Sequence, residues 1–287
     1  MISKDNSLRV LKLYNVKNKI LSIILMVTIT LTISACTKQY ETTIKTGGII
    51  NEVDYETVDK IACISYASGR SQIYIMNSDG TNIKNISNND HDEFGFSWSP
   101  DGSKLAFTSD YYGKGQIFII NSDNTARQNL SDEDHWYGYP TWSPDGSKIA
   151  FVSGEPEIID GQANLKGQIN IMKNDGTEKR NLSGNILNDW YPTWSPDGSE
   201  IAFVSYKNNI PQIFTMNPDG SERKNLSNND SDELYPTWSP DGSKIAFVST
   251  INGFAKIFIM DMIGNNRKNI TGKDFAGTYP SWSPKNS

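Results

Sequence analysis

Carboxylates, aromatic rings and both histidines of the chain are concentrated in five short stretches, each just upstream of a repeated Trp-Ser-Pro motif. The stretches read NNDHDEFG, DEDHWYGY, NILNDWY, NNDSDELY and GKDFAGTY. Aromatic rings in such loops could stack on sugars or pack on a protein partner, whereas carboxylates could bind Ca²⁺ or basic groups. We therefore predict that these stretches belong to a recognition face. A solvated acidic rim of turn-forming residues is the alternative, and the pattern does not decide between the two.

A metal site in these loops would use Asp90, His91, Asp134 and His135 as ligands. Two histidines without a third fixed ligand are thin evidence for a transition-metal site. We therefore predict no cofactor and no catalytic residue, with Ca²⁺ as the ion that the carboxylates would suit.

The elements that must position these loops recur with a fixed period. The motif tryptophans are Trp98, Trp142, Trp194, Trp238 and Trp282, at spacings of 44, 52, 44 and 44 residues. The long interval contains an insertion of about eight residues between Ser153 and Gln168. Each unit reads as four short strands, as in YPTWS, KIAFVS, QIYIM and RKNLS, joined by turns of the PDGS and NPDG type. Proline, aspartate and glycine suit successive positions of such turns.

Four strands per unit at this period predict an all-β fold, a single five-bladed β-propeller of four-stranded antiparallel blades. The expected blades cover residues 94–130, 138–182, 190–226, 234–270, and 279–284 joined to 60–87. In the last of these, the C-terminal strand would join the three N-terminal strands and so remove the free edges of the ring.

Successive strands reverse direction, so the loop before the first strand and the loop between the second and third strands share one face. This places the aromatic and acidic residues of both loops together. The candidate recognition face consists of Asp90, His91, Asp92, Tyr111, Tyr112, Asp134, His135, Trp136, Tyr137, Asp189, Trp190, Asp230, Asp232, Phe254, Asp274 and Phe275.

Other recurring residues are interpreted as scaffold. The five motif tryptophans occupy one position per blade, where bulk is needed between sheets. Phe107, Phe151, Phe203 and Phe247 should be core residues, and Cys63 takes their position in the closing blade as a buried thiol.

The N-terminus has the pattern of a bacterial lipoprotein signal. Residues 1–35 combine a basic start with an uncharged apolar run from Ile20 to Ala35, and Ile33-Ser34-Ala35-Cys36 resembles a lipobox. We predict cleavage before Cys36 and its lipidation, a tether over residues 36–59, and a propeller over 60–287. An ordinary signal peptide or an uncleaved anchor remains the alternative.

Charge argues against a nucleic-acid partner. The chain carries −6, and the first 36 residues carry +4, so the remainder carries −10. Phosphate binding needs clustered Lys and Arg.

The repeat WSPDGSKIAFVS and the segment QIFTMNPDGSERKNLS resemble the TolB-like β-propeller family over residues 60–287. Similar repeats occur in prolyl-oligopeptidase-type propellers and in oligogalacturonate lyases. The resemblance implies the fold, but the α/β domain that precedes the TolB propeller has no counterpart in the expected tether. We therefore expect an envelope-anchored, non-catalytic module that binds an envelope protein or a glycan, in the periplasm or at the cell surface. A polysaccharide lyase or hydrolase with a metal on the acidic face is the alternative.

Overall fold

The computed structural model of the protein describes residues 38–39, 60–66, 69–111, 113–132, 135–159, 162–184, 188–272 and 277–283. These residues form twenty strands in five four-stranded antiparallel sheets, and none of them lies in a helix. Each sheet is one blade, and its strands follow chain order from one edge to the other. The predicted five-bladed, all-β propeller is confirmed.

The blades are numbered along the chain. Blade 1 contains β1 (Lys38–Gln39), β2 (Lys60–Ser65), β3 (Gln72–Asn77) and β4 (Lys84–Asn85). Blade 2 contains β5 (Glu93–Trp98), β6 (Lys104–Tyr111), β7 (Lys114–Asn121) and β8 (Gln128–Asn129). Blade 3 contains β9 (Trp136–Trp142), β10 (Lys148–Ile159), β11 (Gln162–Lys173) and β12 (Arg180–Asn181). Blade 4 contains β13 (Asp189–Trp194), β14 (Ile201–Lys207), β15 (Ile210–Met216) and β16 (Lys224–Asn225). Blade 5 contains β17 (Glu233–Trp238), β18 (Lys244–Ile251), β19 (Phe254–Asp261) and β20 (Lys268–Asn269).

The repeated PDGS turn is stabilised by hydrogen bonds within the turn and also contacts the neighbouring blade. In blade 3, Ser143 Oγ and Ser147 N donate to Asp145 Oδ1 at 2.6 and 3.0 Å. These hydrogen bonds lower the pKa of Asp145 to about 2. Gly146 has φ = 68°, and a Cβ there would lie 3.6 Å from the ring of Pro100 in the preceding blade. The turn therefore needs glycine for its backbone and packs on the proline of the previous copy.

In the described part of the chain, the core consists of four apolar layers, one between each pair of consecutive blades. Each layer joins aliphatic residues of one blade to an aromatic residue of the next. Phe107, Phe151, Phe203 and Phe247 are fully buried in these layers, as predicted. Trp142, Trp194 and Trp238 are buried in the same layers, whereas Trp98 and Trp282 are partly buried.

The closing arrangement differs from the prediction. The edge of β2 is paired by β1, with Lys38 opposite Ile61 and Gln39 opposite Lys60, so part of the expected tether belongs to blade 1. Residues 277–283 are not in a strand. They continue the ring beyond β17, because Trp282 Nε1 donates to the Thr237 carbonyl at 3.1 Å, as Trp194 Nε1 donates to that of Thr141. The Trp282 contact thus holds residues 277–283 against blade 5. The short strand β1 occupies the edge of blade 1 where the C-terminal strand was predicted to pair.

Cys63 is also placed differently. It is partly exposed rather than buried, because its side of blade 1 belongs to none of the four apolar layers. The insertion predicted between Ser153 and Gln168 lengthens one hairpin, since β10 and β11 pair as far as Ile159 and Gln162. Within the described ranges, no helix is long and apolar enough to cross a membrane. The predicted signal peptide, Cys36 and residues 40–59 lie outside the described residues.

Candidate functional site

A bulge in the first strand of each of blades 3 to 5 turns one tyrosine toward the centre of the ring. Strand registers shift at this point in β9, β13 and β17. Tyr139, Tyr191 and Tyr235 there have φ between 53° and 57°, and Tyr279 has φ = 54°. The left-handed region costs a non-glycine residue about 1–2 kcal/mol. A recurrent cost of this kind indicates that the side-chain position is itself required.

These four residues, called the tyrosine row, form a continuous line of rings. Ring centroids lie 4.9 Å apart between Tyr139 and Tyr191, 4.7 Å between Tyr191 and Tyr235, and 4.1 Å between Tyr235 and Tyr279. Hydrogen bonds also join each pair. Burial raises the pKa of Tyr139 to about 12 and raises that of Tyr191 well above its usual value. The hydroxyls of Tyr139 and Tyr191 are therefore protonated across the physiological range.

The tyrosine row lines a central channel with a cavity of about 410 Å³. Phe94, Gly95 and Phe96 complete the wall on the side of blade 2. The other lining residues are Ser97 and Trp98 of blade 2 and the proline and small hydroxyl residue that follow each tyrosine. Since none of the described lining residues is charged, the channel suits an uncharged or aromatic surface rather than an ion.

Two tryptophans extend the row into a wider cluster, the aromatic platform, which comprises Phe94, Trp136, Tyr139, Trp190 and Tyr191. Trp136 lies 5.8 Å from Trp190, 6.0 Å from Tyr139 and 6.4 Å from Phe94, between ring centroids. Both tryptophans are partly exposed. The platform lies at the end of the ring that carries the loops before each first strand.

Glycines make room for both indoles. A Cβ on Gly115 would lie 2.6 Å from Trp136 Nε1, and one on Gly167 would lie 2.5 Å from Trp190 Cε2. Each glycine belongs to the blade that precedes its tryptophan. Trp190 is oriented further by its Nε1, which donates to Asn188 Oδ1 at 2.6 Å. The platform is thus built into the scaffold rather than carried on loose loops.

Beside the platform, carboxylates are buried within blades 2, 4 and 5. They are Glu93, Asp189 and Glu233, five positions before the motif tryptophan, and none is exposed. Arg223 donates to both oxygens of Asp189 at 2.8 and 2.7 Å. Its guanidinium also lies over the rings of Phe203 and Phe214, at 4.5 and 4.9 Å. Arg267 Nη1 donates to one oxygen of Glu233, Oε1, and its guanidinium lies over the rings of Phe247 and Phe258. These carboxylates are enclosed within their own blades and are not offered to a ligand.

Of the three buried carboxylates, Glu93 has the longest contact with its arginine. Arg127 lies 3.6 Å from its Oε1, and Asn89 Nδ2 donates to the same oxygen at 2.6 Å. Among the described residues, Oε2 of Glu93 has no hydrogen-bond partner, and the same holds for Oε2 of Glu233. Burial raises the pKa of Glu93 to about 7, although Asn89 and Arg127 oppose the shift.

Blade 3 departs from this pattern. Tyr137 occupies the carboxylate position, and its hydroxyl donates to Asp132 Oδ2 at 2.6 Å. Lys179 replaces the arginine and lies 3.4 Å from the same oxygen, while His135 Nδ1 lies 3.2 Å from Asp132 Oδ1. These contacts lower the pKa of Asp132 to about 2 against the opposing effect of its partial burial. The divergent blade therefore carries a half-exposed charged cluster next to Trp136.

The structure brings some of the predicted site residues together and separates others. Trp136 and Trp190 meet in the platform, whereas His91 packs on Tyr111 with centroids 4.5 Å apart. Asp92 accepts hydrogen bonds from Ser71. Those that lie on the surface away from the platform are Asp90, Asp230, Asp232 and Phe254. Those outside the described residues are Tyr112, Asp134, Asp274 and Phe275.

Asp189 corrects the predicted face. The sequence predicts it among the accessible loop acids, but it is fully buried and paired with Arg223. Its place at the first residue of β13 points its carboxylate into the blade. Tyr137 is buried as well, beneath the Asp132 cluster.

No group of three or more His, Cys, Asp or Glu among the described residues is placed to hold a metal ion. The metal hypothesis also named Asp134, which lies outside those residues. It therefore stays a hypothesis.

The tyrosine row and the buried carboxylates are not among the residues predicted from the sequence. The Tyr-Pro pair has a readable signal, because it recurs three residues before Trp142, Trp194, Trp238 and Trp282, although not before Trp98. The ion pairs had a readable signal, because acids occur five residues before the motif tryptophan in the same units that contain Arg127, Arg223 or Arg267.

Comparison with known proteins agrees with this architecture. A family profile described as the TolB beta propeller domain matches residues 57–165 and 159–287. None of the curated proteins compared with the sequence matches it significantly.

Solved structures share the fold at low identity. TolB from Acinetobacter baumannii superposes with a TM-score of 0.61 at 22% identity, over 76% of this chain and 54% of that chain. A putative TolB from Agrobacterium tumefaciens gives 0.62 at 22% identity, over 78% and 82%. An oligogalacturonate lyase in complex with manganese gives 0.53 at 14% identity, over 75% and 74%. The chain thus spans about half the length of the Acinetobacter protein, and likenesses at this identity establish the fold alone.

Proposed function

Because this chain belongs to the TolB β-propeller domain family, we propose that it is a lipid-anchored envelope protein whose propeller is a non-catalytic binding module. Its ligand is an envelope protein or a glycan, taken up at the aromatic platform. The observation that carries this proposal is the continuous aromatic surface from Phe94 through Trp136 and Trp190 to Tyr191.

The chemistry of the platform supports binding rather than turnover. Its rings present flat apolar area with indole and phenol groups at their edges, which suits packing on a sugar ring or on a partner's side chains. The nearest buried carboxylates are committed to arginines within their own blades. The hydroxyls of Tyr139 and Tyr191 are bonded to neighbouring tyrosines and have raised pKa values, so they are poor proton acceptors at neutral pH.

Anchoring follows from the N-terminal sequence. The lipobox-like Ile33-Ser34-Ala35-Cys36 would place a lipid two residues before the first strand of blade 1. A lipid chain together with a second membrane contact gives stable attachment. Labelling with a palmitate analogue is expected in the wild type and lost in Cys36→Ala. Labelling that survives the substitution refutes the anchor.

Ligand binding is tested with a photo-crosslinking residue placed at Trp136 in intact cells. The matched control places the same residue at Asp219, an exposed turn on the opposite face. A discrete adduct is expected at position 136 and not at 219, and protease or glycosidase digestion of the adduct identifies its class. Equal adducts at both positions would exclude the platform as the binding site.

The alternative hypothesis, a polysaccharide lyase or hydrolase, is tested in parallel. Purified protein is analysed for bound metal and for turnover on a panel of polysaccharides, with His91→Ala and His135→Ala as matched variants. Turnover that both substitutions abolish would replace the binding proposal.

A further inference from the structure

The tyrosine row is a five-membered set with one ring missing. The position three residues before the motif tryptophan recurs five times along the chain, and the four tyrosines of the row occupy four of these positions. The fifth is Gly95 in blade 2. Its φ of 54° falls within the range of 53° to 57° of the tyrosines, and strand β5 has the same register shift at this point. Blade 2 therefore has the bulge that turns a ring toward the channel, but no ring on it.

The space beside Gly95 does not exclude a side chain. A Cβ on Gly95 would lie 3.4 Å from Tyr139 Cδ1 and 3.7 Å from Thr108 Oγ1, which are ordinary contacts. The left-handed backbone favours glycine, but four tyrosines of the same row accept its cost. The missing ring thus leaves a vacancy in the channel wall, and we call the space that a fifth ring would occupy the Gly95 gap.

The aromatic platform borders the Gly95 gap. The ring centroid of Phe94, the residue before Gly95, lies 6.4 Å from those of both Trp136 and Tyr139. Trp136 lies 6.0 Å from Tyr139, and Trp190 lies 6.1 Å from it. A ligand packed on the two tryptophans can therefore extend along Tyr139 into the gap without leaving aromatic surface.

Small hydroxyl side chains make the same channel polar. One precedes each motif tryptophan, and all five line the cavity of about 410 Å³: Ser97, Thr141, Thr193, Thr237 and Ser281. A ligand that displaces water from hydroxyl groups must replace their hydrogen bonds, because an unsatisfied polar group is costly once it is desolvated. A ligand rich in hydroxyls meets this requirement, whereas a phenyl side chain of a protein partner has no donor or acceptor to offer. The channel therefore favours a sugar over an aromatic side chain.

Charge selects among sugars. None of the described residues that line the channel is charged. The carboxylate of an acidic sugar would be desolvated there without a counter-charge, which is strongly unfavourable. The net charge of −10 outside the first 36 residues would also oppose its approach. The channel thus suits an uncharged sugar.

We propose, on the basis of the binding function proposed for the platform, that the Gly95 gap is the subsite for one neutral pyranose unit of a glycan. The pyranose takes the place of the fifth phenol ring, with its C–H face against Tyr139 and its hydroxyls directed to the small hydroxyl residues of the channel. The next unit of the glycan packs on Trp136 and Trp190. Apolar walls with a few convergent polar groups are typical of such ligand sites.

The test measures binding of oligosaccharides to the full chain by isothermal titration calorimetry. The neutral probes are cellohexaose, maltohexaose and mannohexaose, and hexagalacturonate is the charged counterpart of similar length. We expect at least one neutral probe to bind and hexagalacturonate not to bind. Gly95→Tyr supplies the missing ring and should lower the affinity at least about tenfold, because the phenol occupies the subsite.

Gly95→Ala is the matched control. It has the same backbone strain as Gly95→Tyr but leaves the gap open, so it should bind as the wild type does. Urea unfolding reports whether both variants fold. Thr141→Val provides a second variant that does not depend on filling the gap. It keeps the shape of the side chain but removes the hydroxyl, and it should weaken binding about two- to tenfold.

The outcomes separate the subsite from the binding module. Wild-type affinity in a folded Gly95→Tyr, or an equal loss in Gly95→Ala, overturns the subsite, and so does undiminished binding in Thr141→Val. Tighter binding of hexagalacturonate, or no binding of any neutral probe, overturns the neutral sugar. A Trp136 crosslinking adduct that only protease digests overturns the sugar in favour of a protein ligand and leaves the binding module in place. Equal adducts at positions 136 and 219 refute the platform itself.

Discussion

Blades 3 and 4 are neighbours that satisfy the same structural position in different ways. In blade 4, Asp189 is fully buried and receives two hydrogen bonds from Arg223, which lies over Phe203 and Phe214. In blade 3, the position of Asp189 is taken by Tyr137. The position of Phe214 is taken by Asn170, which donates to Ser153 Oγ at 2.7 Å.

The difference shows what the blade requires. The start of the first strand needs bulk and a satisfied hydrogen bond, but it does not need a buried charge. In blade 3, the charge moves outward to Asp132, Lys179 and His135, beside Trp136 of the platform. The copy that departs from the repeat is therefore the one that modifies the proposed binding surface.

The largest expected effect comes from breaking the buried pair in blade 4. Arg223→Ala leaves Asp189 buried without its partner, which should lower the free energy of unfolding by about 3–5 kcal/mol. Lys179→Ala in blade 3 removes a partner from a half-exposed carboxylate and should cost less than about 1 kcal/mol. Urea unfolding of both variants measures the contrast.

A double substitution controls for the desolvated charge. Arg223→Met with Asp189→Leu removes both charges and should recover most of the loss, since apolar replacements of buried pairs are close to neutral. If Arg223→Ala and Lys179→Ala cost the same, the distinction between the two blades is wrong.

The second effect concerns pH and distinguishes Glu93 from Asp189 and Glu233, which lie closer to their arginines. Burial raises the pKa of Glu93 from its ordinary 4.5 to about 7, so the folded protein favours the protonated acid. Protonated Glu93 contributes up to about 3 kcal/mol to the free energy of unfolding. This contribution is complete below pH 4.5 and is lost as the pH rises through 7. Glu93→Gln should flatten this part of the stability–pH curve, measured by urea unfolding across the range. An unchanged slope would assign the pH dependence to other groups.

The features of the fold that could be predicted from the sequence are those specified by the repeated motif. The tryptophan period and the two turn types specify blade number, strand order and the buried phenylalanines, because each copy repeats the same local chemistry. Closure could not be read, since a two-residue pairing such as that of Lys38 and Gln39 has no sequence signature.

The site was harder to predict for a physical reason. Asp189 and Asp230 look alike in an acidic loop, yet one is buried against Arg223 and the other is exposed. The difference depends on strand register, which decides whether a side chain points into the blade or away from it. The tyrosine row depends on a bulge with positive φ, which no local pattern rule would assign to tyrosine.

The third effect concerns the contact between Gly167 of blade 3 and Trp190 of the platform. Gly167→Ala places a Cβ 2.5 Å from the indole of Trp190 and 2.6 Å from the Asp189 carbonyl. Overpacking of this kind should cost about 1–3 kcal/mol and displace the indole. Gly272→Ala is the matched control, because a Cβ there meets nothing within 4 Å. Tryptophan emission and urea unfolding should change for the first variant only; equal responses would mean that the contact is not constraining.

The smallest effect concerns the channel wall, where blade 2 differs from blades 3 to 5. Blade 2 has Gly95 with φ = 54° where blades 3 to 5 have a tyrosine with the same backbone, so only blade 2 avoids the cost of the left-handed conformation. Gly95→Ala should destabilise the protein by about 1 kcal/mol. Gly95→Asn should cost less, because asparagine tolerates this conformation better than alanine does. A Cβ at this position lies 3.4 Å from Tyr139 Cδ1, an ordinary contact, so crowding would penalise the larger asparagine more. Thermal unfolding of the two variants therefore distinguishes backbone strain, which ranks alanine as worse, from crowding, which ranks asparagine as worse.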